Sequence, residues 1–460
     1  MRILQIKLLV TFLLLIIYPA IKTYGADNPG RPREIEPLRI SYQEALEYAL
    51  EHSTEMQTAR TDVDIADRNL WEITASGLPQ IDASAGYQYY FHIPTQLIPA
   101  EFFGGQPGEF MEIQFGTEHN MNATATVSQL IFDGSYIVGL RAANIYKKLT
   151  AQTLERSELD VRNQVSETYF IVLLSRDNLS IVRKNLSNME QNLSETEEIM
   201  KAGFTDPINV DQLRLSVSNM QNTIQNMERQ YEISKNLLKF QIGFDMDGDI
   251  ELTDSLDSLF NRMLVGSDME IRTDFNYEDH IDYKIMLSRQ NMNFMNLRRE
   301  QSFSLPRLTA SYTYQEMAMR DRFNFTDMTK PWFPSSFLAV NLNIPIFSSG
   351  LRSARIQQAK LELHKSEMAT EQVSESLKMQ IAEARSQFKT AREQYDSEKA
   401  NLELAEKILE RTTTMHKEGM ATSLELTQAN NQFLTTQTNY YSAMFDFINA
   451  KNNLDKARGL

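Results

Sequence analysis

The feature that most constrains this chain is a repeat with a fixed offset. Around Gly203, and again around Gly419, a helical pattern stops, a glycine and a short polar turn follow, and a new helical pattern begins. The stretch around Gly134, LIFDGSYIVGLRAA, is matched by PIFSSGLRSARIQQA around Gly350 at the same offset of 216. The spacing between the two glycines of the first half therefore recurs in the second half. Self-similarity of this kind indicates an internal duplication.

The duplication also covers a segment that precedes these glycines. LPQIDASAGYQY at 78–89 is similar to LPRLTASYTYQE at 305–316, but here the offset is 227. The first half must therefore carry an insertion between its proline and its glycine, equal in length to the difference between the two offsets. The tract AEFFGGQPGEF at 100–110 has the glycine content that is typical of a loop tip.

Between the glycines the apolar residues follow a heptad spacing. Steps of alternately three and four residues from Val172 to Met200 meet seven apolar residues in nine positions, and the tripeptide Asn-Leu-Ser recurs at 178, 185 and 192. The same spacing continues after each turn and in the second half, which predicts two antiparallel coiled-coil hairpins at 135–242 and 350–457. The apolar seam is narrow and its flanks are polar. The helices could line a water-filled tube or form an ordinary exposed coiled coil.

Before each long helix the period changes to two residues. Apolar and polar residues alternate in 80–92, 120–132, 307–315 and 338–346, which predicts strand pairs within 80–133 and 307–347. Each run has about ten residues, enough to cross a bilayer when tilted. Aromatic residues near the strand ends suit a membrane interface: Tyr87, Tyr89, Tyr90 and Trp332. A soluble sheet of two hairpins is the alternative.

Four strands leave two open edges, and lipid cannot satisfy their unpaired backbone groups. The known membrane barrels begin at about eight strands. If these strands lie in a membrane, strands from other chains must therefore close the barrel.

The N-terminus predicts export. Arg2 and Lys7 precede an apolar run at 8–17, and a small-residue cleavage site ends at Gly25, as in a signal peptide over 1–25. A membrane anchor is the alternative. Removal of this segment changes the formal charge from −15 to −18, because it carries three cations and no acid. An acidic exported chain is a poor partner for nucleic acid.

No catalytic, cofactor or metal site is expected. The six histidines are scattered, and neither a His-Glu-x-x-His nor a Gly-x-Ser-x-Gly motif occurs, so the chain is not expected to be an enzyme. The acidic segment 243–279 contains Asp245, Asp247 and Asp249, which are spaced as in a calcium loop. It lacks the glutamate at position 12 and the glycine at position six that such loops use.

Taken together, these motifs resemble the TolC-like outer-membrane efflux family. The stretch ISYQEALEYALEHSTEMQTAR at 40–60 looks like its opening helix, LPQI and LPRL look like its entries into the strands, and 202–212 and 418–429 look like its two tip turns. The resemblance implies an α+β membrane protein. A trimeric transmembrane β-barrel, with four strands per chain and 12 in the trimer, would be continued by a long antiparallel coiled-coil periplasmic tunnel. Each chain would comprise a first repeat at 26–242, an acidic linker at 243–279 and a second repeat at 280–460.

The same resemblance implies a function. The chain would be the outer-membrane exit duct of a tripartite efflux or type I secretion system, a passive channel coupled to an inner-membrane pump through a periplasmic adaptor. Its partners would be two further copies of itself, the adaptor (a membrane fusion protein), the pump and outer-membrane lipid. The alternative is a soluble periplasmic coiled-coil adaptor or scaffold.

Finally, the resemblance implies roles for residues at the two turns. The adaptor would contact the turns themselves: Ala202, Gly203, Phe204, Glu418, Gly419 and Met420. Glu425 stands at an acidic gate position of the family, whereas Gln428 and Asn209 replace acids. Asp206 and Asp211 could support a ring of carboxylates from Glu425. A helix-start carboxylate that only interacts with the helix dipole is the alternative for Glu425.

Overall fold

The computed structural model describes residues 37–270, 275–327 and 329–459, and the side chains of 265–270 are outside that description. The signal peptide predicted at 1–25 also lies outside the described residues. Long helices and a four-stranded sheet dominate the rest. This confirms the predicted α+β class.

The first half of the chain begins with short helices and strands and ends with two long helices. In order, these elements are β1 (Leu38–Ile40), α1 (Tyr42–His52), α2 (Thr54–Ser76), β2 (Gln80–Tyr89), β3 (Thr95–Pro99), β4 (Phe110–Gln114), β5 (His119–Asp133), α3 (Gly134–Lys201) and α4 (Pro207–Ile242).

The second half follows the same plan after a short connecting region. The connecting region contains β6 (Ile250–Leu252) and α5 (Leu256–Glu270). The elements of the second half are α6 (Ile281–Ser302), β7 (Arg307–Arg320), β8 (Phe333–Asn343), α7 (Leu351–Lys417) and α8 (Ser423–Arg458). The long helices α3 and α7 have 68 and 67 residues, so each is about 100 Å long at a rise of ~1.5 Å per residue.

One sheet joins the two halves. Its strand order is β2-β5-β7-β8, and each neighbouring pair is antiparallel. The central pair, β5 with β7, comes from different halves, so neither half forms a complete sheet alone. The segment between β2 and β5 forms a separate two-stranded ribbon, β3 with β4, whose turn contains the glycines at 104, 105 and 108.

The seam of the first helical hairpin follows the heptad spacing. Leu179, Val182 and Met189 of α3 are buried against residues of α4, among them Met220 and Ile224. Apolar residues at this spacing lie on one helix face and so can pack along a single line.

The apolar core lies around the middle of the long helices. Four large side chains, Tyr169, Phe170, Phe388 and Phe447, are almost completely buried there. The short helices α1 and α5 and the parallel pair β1–β6 also contribute residues to this core. The heptad analysis, which suggests only narrow seams, did not anticipate it.

Polar contacts tie the connecting region to this core. The Asp254 carboxylate accepts hydrogen bonds from the Tyr42 amide at 2.6 Å and from the Tyr169 hydroxyl at 2.8 Å. The Arg176 guanidinium donates to the backbone oxygens of Leu252 and Asp254. Buried polar groups are retained in this way only where partners satisfy them. The connecting region is therefore an integral part of the fold.

Candidate functional site

The first candidate surface is one face of the sheet. A row that crosses all four strands joins Ile81, Val127, Tyr312 and Leu338. These side chains are 76, 37, 47 and 70 % exposed in the single chain. Because side chains alternate between faces along a strand, most of the apolar residues of the four strands lie on this one face.

The opposite face is mostly polar. The adjacent row joins Asp82, Thr126, Thr313 and Phe337, and the two threonine hydroxyls are 3.2 Å apart, within hydrogen-bond distance. Phe337 departs from the alternation. The sheet therefore has one apolar surface and one hydrophilic surface, and only the second suits contact with water.

The strands differ from the sequence-based expectation at two places. Strand β8 ends at Asn343, so Ile344 and Ile346 lie beyond the strand, because Pro345 cannot donate a ladder hydrogen bond. In β5 the register shifts between Leu130 and Phe132, so Ile131 is an extra residue and Phe132 pairs with Leu308. A bulge of this kind moves the alternation by one position.

The second candidate surface consists of the two turns at the far ends of the long helices. At the first turn, the Gly203 amide donates to Met200 O at 2.9 Å and the Phe204 amide to Ile199 O at 3.1 Å. At the second turn, the Gly419 and Met420 amides make the equivalent bonds at 3.0 and 2.8 Å. Both are Schellman motifs, which end a helix on a left-handed residue.

Glycine is required at both turns by backbone conformation. Gly203 has a φ of +83° and Gly419 a φ of +73°. A Cβ atom at either position would meet no other atom within 4 Å. The requirement is therefore conformational and local, and it does not arise from packing.

The next helix begins shortly after the glycine in each case, with a polar cap. Asp206 caps α4 by accepting from the Ile208 amide at 3.0 Å, and Thr422, at the same offset of 216, caps α8. Glu425 completes a capping box, because its carboxylate accepts from the Thr422 amide at 2.7 Å. Hydrogen bonds from the backbone and the side chain of Thr422 lower the pKa of Glu425.

The other candidate gate residues lie near these turns without converging within one chain. Asn209 Nδ2 donates to Thr205 Oγ1 at 3.0 Å, and Gln428 is exposed one turn beyond Glu425. Asp211 forms an ion pair with Arg214 at 3.3 Å, and the same guanidinium contacts Glu197 at 2.8 Å. The negative charge of Asp211 is therefore partly compensated locally.

Phe204 and Met420, which the sequence analysis names as contact residues, are exposed at the turns together with apolar neighbours that it did not name. Phe204 is 85 % exposed and Met420 is 63 % exposed, and each has two further exposed apolar neighbours. The two sets are related by the offset of 216: Ile199, Phe204 and Ile208 at the first turn, and Met415, Met420 and Leu424 at the second. Comparison of the two repeats at this offset would have found them.

In the acidic loop around Asp245, Asp247 and Asp249, the backbone oxygens bind the ammonium group of a lysine from the same chain. Lys239 Nζ donates to Met246 O at 2.7 Å and to Gly248 O at 3.0 Å, and Lys235 Nζ lies 2.6 Å from Asp249 Oδ1. The hydrogen bond from Lys235 lowers the pKa of Asp249. Among the described residues no group of acids and histidines is arranged to hold a metal ion.

Across the described part of the chain, the helices include none that is both long enough and apolar enough to span a bilayer.

The fold of this chain is similar to that of solved outer-membrane channels. The structure matches CusC, in a study of transmembrane channel formation, with a TM-score of 0.71, 15 % identity and 95 % of each chain covered. It matches the Campylobacter jejuni CmeC outer membrane channel with a TM-score of 0.69 and 16 % identity, over 91 % of this chain and 85 % of CmeC. For the Neisseria gonorrhoeae MtrE outer membrane channel the TM-score is 0.66 and the identity 17 %, over 96 % and 97 %. These likenesses concern the fold.

Sequence comparison gives the family. A profile described as "Outer membrane efflux protein" matches residues 45–243 and 289–460, and the chain belongs to that family. A curated relative, the outer membrane efflux protein BepC of Brucella suis biovar 1 (strain 1330), is 28 % identical over 122 residues, which are 26 % of this chain and 27 % of BepC. The chain is thus an efflux protein of the outer membrane with a periplasmic extension. The predicted family and location are confirmed, and the soluble alternative is set aside.

Proposed function

We propose that three copies of this chain pool their strands into one 12-stranded barrel in the outer membrane. The observation that carries the proposal is the row of apolar residues across β2, β5, β7 and β8, which has no cover within the described chain. An apolar face of this kind is stable in contact with lipid. The two edge strands, β2 and β8, must each pair with a strand of another copy before the sheet can enter the bilayer, because lipid cannot satisfy their unpaired backbone groups.

The long helices would continue this barrel into the periplasm as an aqueous tunnel. Exposed apolar residues that nothing covers in the single chain support packing between copies: on α4 they include Ile233, Leu237 and Phe240. Their spacing of four and three residues places them on one helix face. Transport through this tunnel is passive, and an inner-membrane pump supplies the energy.

The two turns would form the open end of the tunnel and receive a periplasmic adaptor. The apolar sets Ile199, Phe204, Ile208 and Met415, Met420, Leu424, which we call the two knuckles, support this part of the proposal. Three copies would present six of these similar knuckles in a ring. Ala202, Gly203, Glu418 and Gly419, which belong to the same turns, are exposed as well. Apolar side chains exposed at a helix tip are typical of a protein contact.

The gate would be a ring of Glu425 carboxylates inside the same end. Asp206 adds a second exposed carboxylate per copy, whereas Arg214 offsets Asp211, and Asn209 and Gln428 are neutral. A ring with net negative charge favours cations in a pore.

Cysteine cross-linking tests the barrel. The chain has no cysteine, so pairs can be introduced cleanly on the same face of β2 (Ile81, Ala83, Ala85) and of β8 (Leu338, Val340, Leu342). We expect at least one β2/β8 pair to give covalently linked trimers in isolated outer membranes. The control pair Ala125→Cys with Tyr314→Cys joins neighbours in one sheet and should link only within a monomer. The proposal fails if every β2/β8 pair yields monomers alone.

A further inference from the structure

Four helices adjoin one end of the sheet, in the order of the strands that they join. Helix α2 leads into β2, β5 continues into α3, α6 leads into β7, and β8 leads into α7. Neighbouring helices of this set pack against each other, so they form one layer in the order α2-α3-α6-α7. A wall of helices therefore continues directly from the wall of strands.

The ends of these helices that lie next to the sheet are rich in basic residues. Within the ten residues nearest to the sheet, the four helices together carry seven basic residues and three acidic ones, although the whole chain has a formal charge of −15. Six of the seven are exposed, and we call these six the basic collar: Arg68, Arg141, Arg298, Arg299, Arg355 and Lys360.

The opposite ends of the long helices have the opposite charge. In the ten residues next to the two turns, α3, α4, α7 and α8 together carry six acidic and four basic residues. The basic collar is therefore a local feature of the end near the sheet, and it does not follow from the overall composition of the chain.

Acidic residues of the chain neutralise little of the collar. Among the described residues, only Arg299 of the collar lies within 4.0 Å of a carboxylate, at 3.8 Å from Glu300. The Arg298 guanidinium lies 5.3 Å from the centre of the Phe294 ring, and the nearby Asp67 is paired with Lys147 at 2.6 Å. Like charges in one belt repel each other, so an anionic partner would stabilise them.

Exposed aromatic side chains lie on the strand side of the collar. Trp71, Phe303 and Phe347 are all exposed, and each is closer in sequence to the adjoining strand than the collar residues of the same helix are. Aromatic rings are enriched where the hydrocarbon of a bilayer meets its headgroups, and long basic side chains can reach from there to the bilayer surface. Apolar strands, aromatic rings and basic residues thus follow each other as the layers of a membrane do.

We propose that the basic collar binds the phosphate groups of anionic phospholipids on the periplasmic side of the outer membrane. This inference rests on the proposed function, because only a sheet embedded in the bilayer brings the collar to the bilayer surface. Arginine and lysine bind phosphate through charge-assisted hydrogen bonds. In a trimer the collars of three copies form a closed belt, which fixes the depth of the channel in the membrane.

Lipid binding by the purified trimer tests the proposal. Native mass spectrometry measures the affinity for phosphatidylglycerol, which is anionic, and for phosphatidylcholine, which has no net charge. We expect the unaltered trimer to prefer phosphatidylglycerol. A variant with Arg141→Gln, Arg298→Gln, Arg355→Gln and Lys360→Gln should bind phosphatidylglycerol at least about tenfold more weakly and phosphatidylcholine equally well.

Two control variants separate the collar from net charge and from folding. Lys184→Gln, Lys399→Gln, Lys407→Gln and Arg411→Gln change the charge equally at exposed positions on α3 and α7, and together they should leave the lipid preference intact. Arg141→Lys with Arg298→Lys and Arg355→Lys retains the charge and should retain the preference as well. A native gel that shows each variant as a trimer establishes that it folds.

The position of the collar is tested separately with Trp71. The chain has two tryptophans, so Trp332→Phe leaves Trp71 as the only one. In liposomes that contain lipid with a nitroxide on its headgroup, we expect strong quenching of the Trp71 fluorescence. A tryptophan at the first turn, in a variant with Phe204→Trp, Trp71→Phe and Trp332→Phe, should not be quenched.

The outcomes distinguish the collar from the barrel. If the collar variant binds phosphatidylglycerol as tightly as the unaltered trimer, or if Trp71 is not quenched in trimers that insert into liposomes, the lipid site is wrong although the barrel stands. If the collar variant loses binding to isolated peptidoglycan instead, the partner is the cell wall and the lipid site is wrong. If the unaltered protein neither forms trimers nor inserts into liposomes, the proposed barrel itself fails.

Discussion

At the scale of single residues, Glu425 shows how one side chain can serve two purposes. Its carboxylate closes the capping box with Thr422, and it also carries an exposed charge at the turn that we propose as the tunnel end. Because the hydrogen bonds from Thr422 lower its pKa, the group is ionised at neutral pH and stays so below its usual value of 4.5. Glutamine can close the same capping box without a charge.

The variant Glu425→Gln therefore separates the two purposes. We expect it to reduce the cation preference of single channels, measured as the reversal potential in a potassium chloride gradient, while the thermal midpoint of the trimer stays the same. In the unaltered protein the preference should persist as the pH falls and fade only below 4.5. Glu403→Gln, an exposed acid on the shaft of α7, should not alter selectivity. An unchanged reversal potential in Glu425→Gln would contradict the carboxylate ring.

At the scale of elements, the turns depend on backbone conformation and the helices depend on packing. Gly203 and Gly419 are left-handed and have open space around them, whereas Gly139 lies inside α3 with an ordinary contact to Ile73. Alanine should therefore have opposite effects at the two kinds of site, because a left-handed conformation penalises a Cβ and a helix interior favours one.

We expect Gly203→Ala and Gly419→Ala each to destabilise the local turn by about 1 kcal/mol. Hydrogen–deuterium exchange of peptides covering 196–210 and 412–425 would measure this as faster exchange. Gly139→Ala is the matched control and should stabilise α3 by roughly 0.5–1 kcal/mol. Equal protection of the turns in all three variants would show that the left-handed glycines are dispensable.

At the scale of the whole molecule, the exposed apolar surfaces of a single chain are the candidate contact surfaces for lipid and for other protein chains. In the proposed assembly the sheet face contacts lipid, the stripe on α4 contacts another copy, and the knuckles around Phe204 and Met420 contact the adaptor; all three surfaces are exposed in the single chain. Since the duplication places the two knuckles at equivalent positions, they should contribute alike to adaptor binding.

We expect Phe204→Ser and Met420→Ser each to weaken binding of the cognate adaptor's helical hairpin by about tenfold, which corresponds to ~1.4 kcal/mol. Biolayer interferometry with purified trimer would measure the effect. Met379→Ser, another exposed apolar change on α7, should leave the affinity unaltered. If only one of the two tip variants weakened binding, the knuckles would not be equivalent.

Features that arise from local backbone preference could be predicted from the sequence. The turns at Gly203 and Gly419, the alternation in the strands and the heptads of the long helices depend on neighbours within a few residues. The predictions at Ile131, Ile344 and Ile346 were wrong for local reasons as well, a bulge and Pro345, which a strict alternation ignores. The candidate gate residues remain predictions.

The tertiary structure alone decided which distant residues meet. The sequence shows asparagines at 178, 185 and 192, but only the packing of α8 on α3 places Gln437 against Asn178. The same is true of the core around Tyr169 and Phe447, and of Lys239, whose ammonium fills the acidic loop. Periodicity specifies which face of a helix is apolar or polar, whereas contacts between residues hundreds of positions apart depend on how the helices pack.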